Sequence, residues 1–181
     1  IKTYACVALA NMLYYNNANR VRFLETEGSL ELLLEFIHDN VDKAVAESCL
    51  RAVLSLSYLD QVALWLGTEG DSIPLFLSLL QPPMVSRDAM RYAIEIIGNL
   101  CLHHVNRSKI IESAGIEIIV NLYSDADPHI QEVAHQIIGY LEDVTPPEVL
   151  ARAKKDISLE RMVRLAMDAD PLVRAVAAES I

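Results

Sequence analysis

Apolar residues recur along the chain in one helical pattern, and the pattern returns four times at a spacing of 43 residues. Each occurrence places apolar side chains at positions i, i+3, i+4 and i+7, which lie on one face of an α-helix. The four stripes are Leu30, Leu33, Leu34 and Ile37; Ile73, Phe76, Leu77 and Leu80; Ile116, Ile119, Val120 and Tyr123; and Leu159, Met162, Val163 and Ala166. Because helical units that stack on copies of themselves produce a fixed period of this length, the sequence predicts a helical solenoid.

Turn-forming residues divide each unit into a short, a medium and a long helix. Gly28 follows the first short helix and suits the left-handed conformation that ends a helix. The segment Asp-Ala-Asp-Pro occurs at 125–128 and again at 168–171, and in each the second Asp can cap a helix that begins with Pro. These joints give a partial unit at 1–18, the units 19–58, 59–104 and 105–143, and a partial unit at 144–181. We interpret residues 1–181 as a single domain that is part of a longer solenoid.

Several short segments of this chain resemble the armadillo repeat family. They are Ala-Leu-Ala-Asn-Met-Leu at 8–13, Asn19-Arg20 with Glu27-Gly28, the apolar run at 73–80, Ile-Gly-Asn-Leu-Cys at 97–101, and Asn106-Arg107 followed by Ala-Gly-Ile at 114–116. The resemblance implies an all-α fold, a right-handed superhelical solenoid of about four three-helix repeats, whose last unit fits a HEAT repeat equally well. It also implies that the long third helices line a concave groove in which an extended peptide binds.

The exposed face of each long helix should then repeat every four residues, and polar residues occupy those positions. The predicted groove residues are Asn11, Lys43, Glu47, Arg51, Ser55, Arg87, Arg91, Glu95, Asn99, Gln131 and His135. The resemblance implies that Asn11 and Asn99 bind the main chain of a peptide, because an amide both donates and accepts hydrogen bonds. Two alternatives stay open: the asparagines can be ordinary surface residues, and the charged side chains are also spaced for i, i+4 pairs within their own helices.

The chain departs from importin-like members of the family at the positions four residues before the groove asparagine. Those members carry a ladder of tryptophans there, whereas this chain has Val7, Arg51, Glu95 and His135. Its one tryptophan, Trp65, lies in a short helix and is expected to pack between repeats. Transport of basic nuclear-import signals is therefore not predicted.

Charge and cysteine content narrow the choice of partner. The net charge of −10, from 25 acidic and 15 basic residues, disfavours nucleic acid and anionic membranes as partners. No apolar run is long enough to span a membrane. Cys6, Cys49 and Cys101 all lie in apolar helical contexts, so we expect buried reduced thiols and an intracellular location, the cytoplasm or alternatively the nucleus.

The sequence contains no constellation typical of an enzyme, a metal site or a cofactor site. Glu132 and His135 have the i, i+3 spacing of a di-iron ligand pair, but a second such pair is missing. We therefore expect a non-catalytic scaffold or adaptor that binds a protein or peptide segment along the groove. The alternatives are a regulatory or autoinhibitory domain of a larger signalling enzyme, able to sense a small ligand, and a purely structural spacer.

Overall fold

The computed structural model of the protein describes residues 2–39, 42–68, 72–81, 86–155 and 167. Within these ranges the chain forms ten α-helices and one 3-10 turn at Leu122–Ser124, and residues 147–155 are also helical. The helices are α1 (Lys2–Leu13), α2 (Asn17–Leu24), α3 (Ser29–Asp39), α4 (Lys43–Ser57), α5 (Asp60–Thr68), α6 (Ser72–Ser78), α7 (Arg87–Cys101), α8 (His104–Glu112), α9 (Gly115–Asn121) and α10 (Pro128–Glu142). The fourth apolar stripe and the second Asp-Ala-Asp-Pro segment lie outside the described residues.

The helices are arranged as the repeating unit predicts, with the long helices packed side by side. Helix α1 packs against α4, α4 against α7, and α7 against α10, while the medium helices α3, α6 and α9 pack on the long helix of their own unit. The predicted all-α solenoid is confirmed. In the three described stripes nearly every position is buried, and Phe76 is fully enclosed. Each large side chain buried in this way stabilises the stack by about 1.5–3 kcal/mol.

The long helices begin at side-chain caps. Asp42, Ser86 and Asp127 each accept a hydrogen bond from a backbone N–H in the first turn of α4, α7 and α10. These bonds satisfy donors that have no partner inside the helix. Pro128 follows Asp127 directly, as the sequence predicts, and its missing N–H has no bond to lose in a first turn.

Two Asn-Arg pairs close the far ends of long helices. Asn19 Nδ2 and Arg20 Nε donate to the carbonyls of Met12 and Leu13, at 2.8 and 2.9 Å, where α1 ends. Asn106-Arg107 makes the same two bonds to the last carbonyls of α7, at 3.1 and 2.7 Å. Helix ends leave carbonyls without partners, so each pair both satisfies the end of a long helix and fixes the short helix beside it.

Two junctions between a short and a medium helix that the structure describes each contain one residue with positive φ. Gly28 has φ 75° at the first such junction, as predicted, whereas Ala114 takes this role before α9 with φ 58°. The next residue, Gly115, cannot be larger, since a Cβ there would lie 2.6 Å from Ile110 Cγ2 and from its carbonyl oxygen. Alanine is less suited than glycine to the left-handed region, so this junction is strained.

The three cysteines are buried and none forms a disulfide, as the sequence predicts. Cys6 and Cys49 occupy matching positions on α1 and α4, with their sulfur atoms 3.6 Å apart. Burial raises the pKa of the Cys49 and Cys101 thiols to about 12.

Within the described ranges no single helix is long and apolar enough to cross a membrane. Helices α4 and α5 reach the necessary length and composition only together, and they meet at an angle of 120°.

Candidate peptide groove

The exposed faces of the long helices form two adjoining clefts. The first, which we name the tyrosine cleft, lies across α1, α4 and α7 and has a volume of about 510 Å³. Its lining is Asn11, Tyr14, Tyr15, Arg20, Arg51, Leu54, Ser55, Tyr58, Tyr92 and Glu95. The second, the α7–α10 cleft, has a volume of about 340 Å³. Its lining is Glu95, Gly98, Asn99, Leu102, His129, Glu132, Val133, Gln136, Ile137 and Tyr140.

Five of the predicted groove residues line these clefts. They are Asn11, Arg51, Ser55, Glu95 and Asn99, and Glu95 borders both clefts. Ser55 is only 2 % exposed, and its hydroxyl donates to the carbonyl of Arg51 in its own helix. That any of these residues binds a partner stays a prediction.

The predicted residues near the N-terminal ends of the long helices lie outside both linings. Lys43 is exposed at the start of α4. Glu47 Oε2 accepts a hydrogen bond of 2.7 Å from Ser86, the cap of α7. The contact joins two neighbouring repeats, so this part of α4 contributes to holding the solenoid together.

Arg87 and Arg91 are bound to carboxylates that precede α10. Arg87 Nη1 lies 2.6 Å from Asp125 Oδ1, and Arg91 Nε donates to Asp127 Oδ2. The hydrogen bond from Arg91 lowers the pKa of Asp127 below its ordinary value. These ion pairs join successive repeats. They differ from the i, i+4 pairs within one helix that the spacing of the charged residues also allows. Replacing Arg87 and Arg91 by glutamate would place two carboxylates beside Asp125 and Asp127. The repulsion would lower the stability of the fold, so such a variant would not report on binding alone.

The two groove asparagines each use part of their amide in the free protein. Asn11 Oδ1 accepts from Arg51 Nη2 at 2.8 Å, and Asn99 Nδ2 donates to Ser57 Oγ at 2.8 Å. A peptide main chain must therefore compete with Arg51 for the amide oxygen of Asn11 and with Ser57 for the amide nitrogen of Asn99. Competition of this kind reduces the net free energy of each new hydrogen bond.

Gln131 and His135 do not line the α7–α10 cleft, and their part in binding a partner stays a prediction. Gln131 Nε2 donates to the carbonyl of Asp125, and the ring of His135 stacks on Tyr123 at 3.8 Å. The side chains that face the cleft from α10 are His129, Glu132, Val133, Gln136, Ile137 and Tyr140.

A short connection before α10 accounts for this difference. The caps Asp42 and Ser86 are 44 residues apart, whereas Ser86 and Asp127 are only 41 apart. Groove positions that are carried from α7 to α10 with a spacing of 44 therefore lie three residues too far along α10, which is most of a helical turn. In the true register Tyr140 occupies the position that Asn99 has in α7.

Sequence reasoning missed the tyrosines. Tyr14, Tyr58 and Leu102 each come directly after a long helix, at intervals of 44 residues, and they are 61 %, 56 % and 56 % exposed. Their regular spacing is visible in the sequence, but the spacing does not show that these side chains are exposed. Tyr15, 85 % exposed and with φ 49°, lies edge-on to Tyr14 with the ring centroids 4.4 Å apart.

The arginines of the two Asn-Arg pairs contact tyrosines at the end of the long helix in their own repeat. The guanidinium carbon of Arg20 lies 5.4 Å from the centre of the Tyr58 ring, and that of Arg107 lies 5.6 Å from the Tyr140 ring. Cation–π contacts at such distances are favourable. Burial, followed by the charge of Glu95, raises the pKa of Tyr58, so its hydroxyl stays neutral near pH 7 and is able to donate a hydrogen bond.

The α7–α10 cleft has an acidic rim. Glu95 Oε1 lies 2.8 Å from His129 Nε2, which bridges α7 and α10. Glu132 is exposed and forms no ion pair with the part of the chain that the structure describes. Val133 and Ile137 provide an apolar floor beside Gly98. The cleft is therefore suited to a basic or neutral polar group over an apolar surface.

No group of three or more His, Cys, Asp or Glu side chains suited to a metal ion occurs in the described ranges.

The three-helix units and the row of long helices give the chain the fold of an armadillo-repeat solenoid. Designed armadillo repeat proteins have similar structures: one built for modular peptide recognition has a TM-score of 0.70 and 20 % identity, over 96 % of this chain and 71 % of that one. Another, in complex with the peptide (KR)4, has a TM-score of 0.68 and 20 % identity, over 97 % and 72 %. A third has a TM-score of 0.68 and 20 % identity, over 77 % and 58 %. No protein-family model matches the chain, and no curated protein matches it.

Proposed function

We propose that this chain is a non-catalytic protein-interaction module that binds an extended segment of a partner along the exposed faces of its long helices. The observation that carries this proposal is the pair of adjoining clefts across α1, α4, α7 and α10. They follow the solenoid without interruption, since Glu95 borders both. The designed protein in complex with (KR)4 supports the proposal, because it has the same fold and binds a peptide.

The lining of the clefts suits an extended segment. Amide side chains and tyrosine hydroxyls bind main-chain groups of either polarity. Apolar patches such as Val133 and Ile137 accept side chains between them. The role that follows is that of a scaffold or adaptor, which brings a partner to other parts of an assembly in the cytoplasm.

A peptide-display selection against the chain tests this function. Selected peptides should bind saturably, and the double variant Asn99→Ala with Gln136→Ala should weaken them by about tenfold or more, equivalent to about 1.4 kcal/mol. Both residues line the α7–α10 cleft. Glu35→Ala, at an exposed position on the medium helix α3, is the matched control and should leave the affinity unchanged. Peptides that bind the double variant as tightly as they bind Glu35→Ala would place recognition on another face of the solenoid.

A further inference from the structure

The tyrosine cleft combines aromatic surface with positive charge in a chain whose net charge is −10. Its lining contains four tyrosines, two arginines and one glutamate. The glutamate, Glu95, is bound to His129 of the next repeat. Two arginines against one glutamate still leave the charged lining of this cleft positive on balance, in contrast to the acidic rim of the α7–α10 cleft.

Both guanidinium groups are held in place before any partner arrives. Arg51 Nη2 donates to Asn11 Oδ1 at 2.8 Å and reaches the carbonyl of Val7 at 3.4 Å. Arg20 is fixed by its Nε bond to Leu13 and by its position over Tyr58. An arginine has five N–H donors, and these contacts engage only one nitrogen of each. The remaining donors are available to a carboxylate, and little side-chain entropy is lost because the groups are already ordered.

The tyrosines of the cleft are largely exposed to solvent. Tyr14 and Tyr58 are more than half exposed, and Tyr92 lines the cleft from α7. Tyrosine and arginine are the residue types that most often dominate the energy of protein interfaces. Flat rings beside Leu54 favour an aromatic side chain, which stacks offset or edge-on against them.

We propose that the tyrosine cleft selects a partner segment in which a carboxylate side chain lies next to an aromatic one. The carboxylate pairs with Arg51 and Arg20, and the aromatic ring packs among Tyr14, Tyr58 and Tyr92. This inference rests on the proposed function, the binding of an extended segment, and adds the chemistry of that segment. A basic side chain in the same place would meet two fixed positive charges. The preference is thus opposite to the composition of the (KR)4 peptide that the designed protein binds.

Fluorescein-labelled peptides of alternating residues test the inference by fluorescence anisotropy. A peptide of alternating Asp and Phe should bind at least about tenfold more tightly than one of alternating Lys and Phe or of alternating Asp and Ser. Its affinity should fall with rising salt, since the charges lie at the surface. Equal or tighter binding of the Lys and Phe peptide would overturn the inference.

Four variants locate the binding. Tyr58→Ala and Arg51→Gln should each weaken the Asp and Phe peptide by about tenfold or more. Tyr4→Ala and Arg22→Gln, at exposed positions outside the cleft, are matched controls and should not change its affinity. Because Tyr58 is itself 56 % exposed, its removal should leave the circular dichroism spectrum unchanged and lower the melting temperature only slightly, through the lost contact with Arg20. An unchanged affinity in folded Tyr58→Ala would overturn the assignment.

The same measurements separate this inference from the proposed function. If the Lys and Phe peptide binds best and the double variant Asn99→Ala with Gln136→Ala weakens it, the groove binds peptides but the tyrosine cleft is not selective for acid. If none of the three peptides binds saturably and display also selects none, both the inference and the proposed function fail.

Discussion

Replacing Gly67 by alanine should destabilise the solenoid through one contact between repeats. Gly67 lies in α5, and a Cβ atom there would be 1.8 Å from Oδ1 and 2.2 Å from Cγ of Asn106 in α8. Asn106 is fully buried, so its side chain cannot swing into solvent without leaving its partners. Those partners are the carbonyls of Ala63, at 3.0 Å, and Leu100, at 3.1 Å.

The magnitude follows from these two hydrogen bonds. Displacing Asn106 leaves two carbonyls without their donor, and each buried unsatisfied group costs about 1–3 kcal/mol. The helix gains about 1 kcal/mol because alanine is a better helix former than glycine. We therefore expect Gly67→Ala to lower the free energy of unfolding by about 1–5 kcal/mol, measured by urea denaturation with far-UV circular dichroism.

A matched glycine and a double-mutant cycle make the test specific. A Cβ at Gly98 in α7 would have only ordinary contacts, the nearest being Val133 Cγ1 at 3.6 Å. Gly98→Ala should therefore be neutral or stabilise the chain by up to about 1 kcal/mol. In an Asn106→Ala background the clash is absent, so adding Gly67→Ala should cost almost nothing. If Gly67→Ala is as stable as the wild type, or costs equally in both backgrounds, the proposed contact is wrong.

Three further predictions concern stability and reactivity. Ala114→Gly should raise the urea midpoint, by relieving about 1 kcal/mol of strain at φ 58°, and an unchanged midpoint would argue against that conformation. Thiol reagents at mildly alkaline pH should label Cys49 and Cys101 slowly in the native state and rapidly in urea, because burial raises the pKa of each thiol to about 12; rapid native labelling would contradict this. The hydrogen bond from Arg91 lowers the pKa of Asp127 in the folded protein below the ordinary value of 3.8. The ionised Asp127 therefore stabilises the fold fully above pH 3.8, and this stabilisation is lost as the pH falls through the lower native pKa. Asp127→Asn keeps a capping oxygen without the titrating charge, so its urea midpoint should depend less on pH in this acid range, and an identical pH dependence would refute the assignment.

The fold could be predicted because its causes are local and repeated. One apolar stripe in each medium helix, a polar cap before a long helix and a glycine such as Gly28 are all visible at fixed spacing. Register in α10 could not be predicted from that spacing. The stripes report the medium helices, and Ile116 follows Ile73 by the full 43 residues, whereas α10 begins only 41 residues after α7. The capping residue Asp127 was the better marker, because it fixes where the helix starts.

The site was only partly predictable because its contacts join residues far apart in the chain. The i, i+4 spacing of the charged side chains is visible in the sequence. Their partners are not, since Arg87 meets Asp125 across 38 positions and Glu95 meets His129 across 34. The tyrosines were missed for another reason: a residue type that is common in both cores and interfaces does not show which of them it occupies.

Polar residues near the two ends of the long helices have different surroundings. Near the N-terminal ends, Glu47, Arg87 and Arg91 are committed to bonds with the next repeat. Near the C-terminal ends, Tyr58 and Asn99 border open clefts. Substitutions in the first group should therefore change the melting temperature more than the peptide affinity, and those in the second group should do the reverse. The proposed binding would therefore use the C-terminal ends of the long helices, two of which, in α1 and α7, are held by Asn-Arg pairs. The charges near the opposite ends contribute to the stacking of repeats.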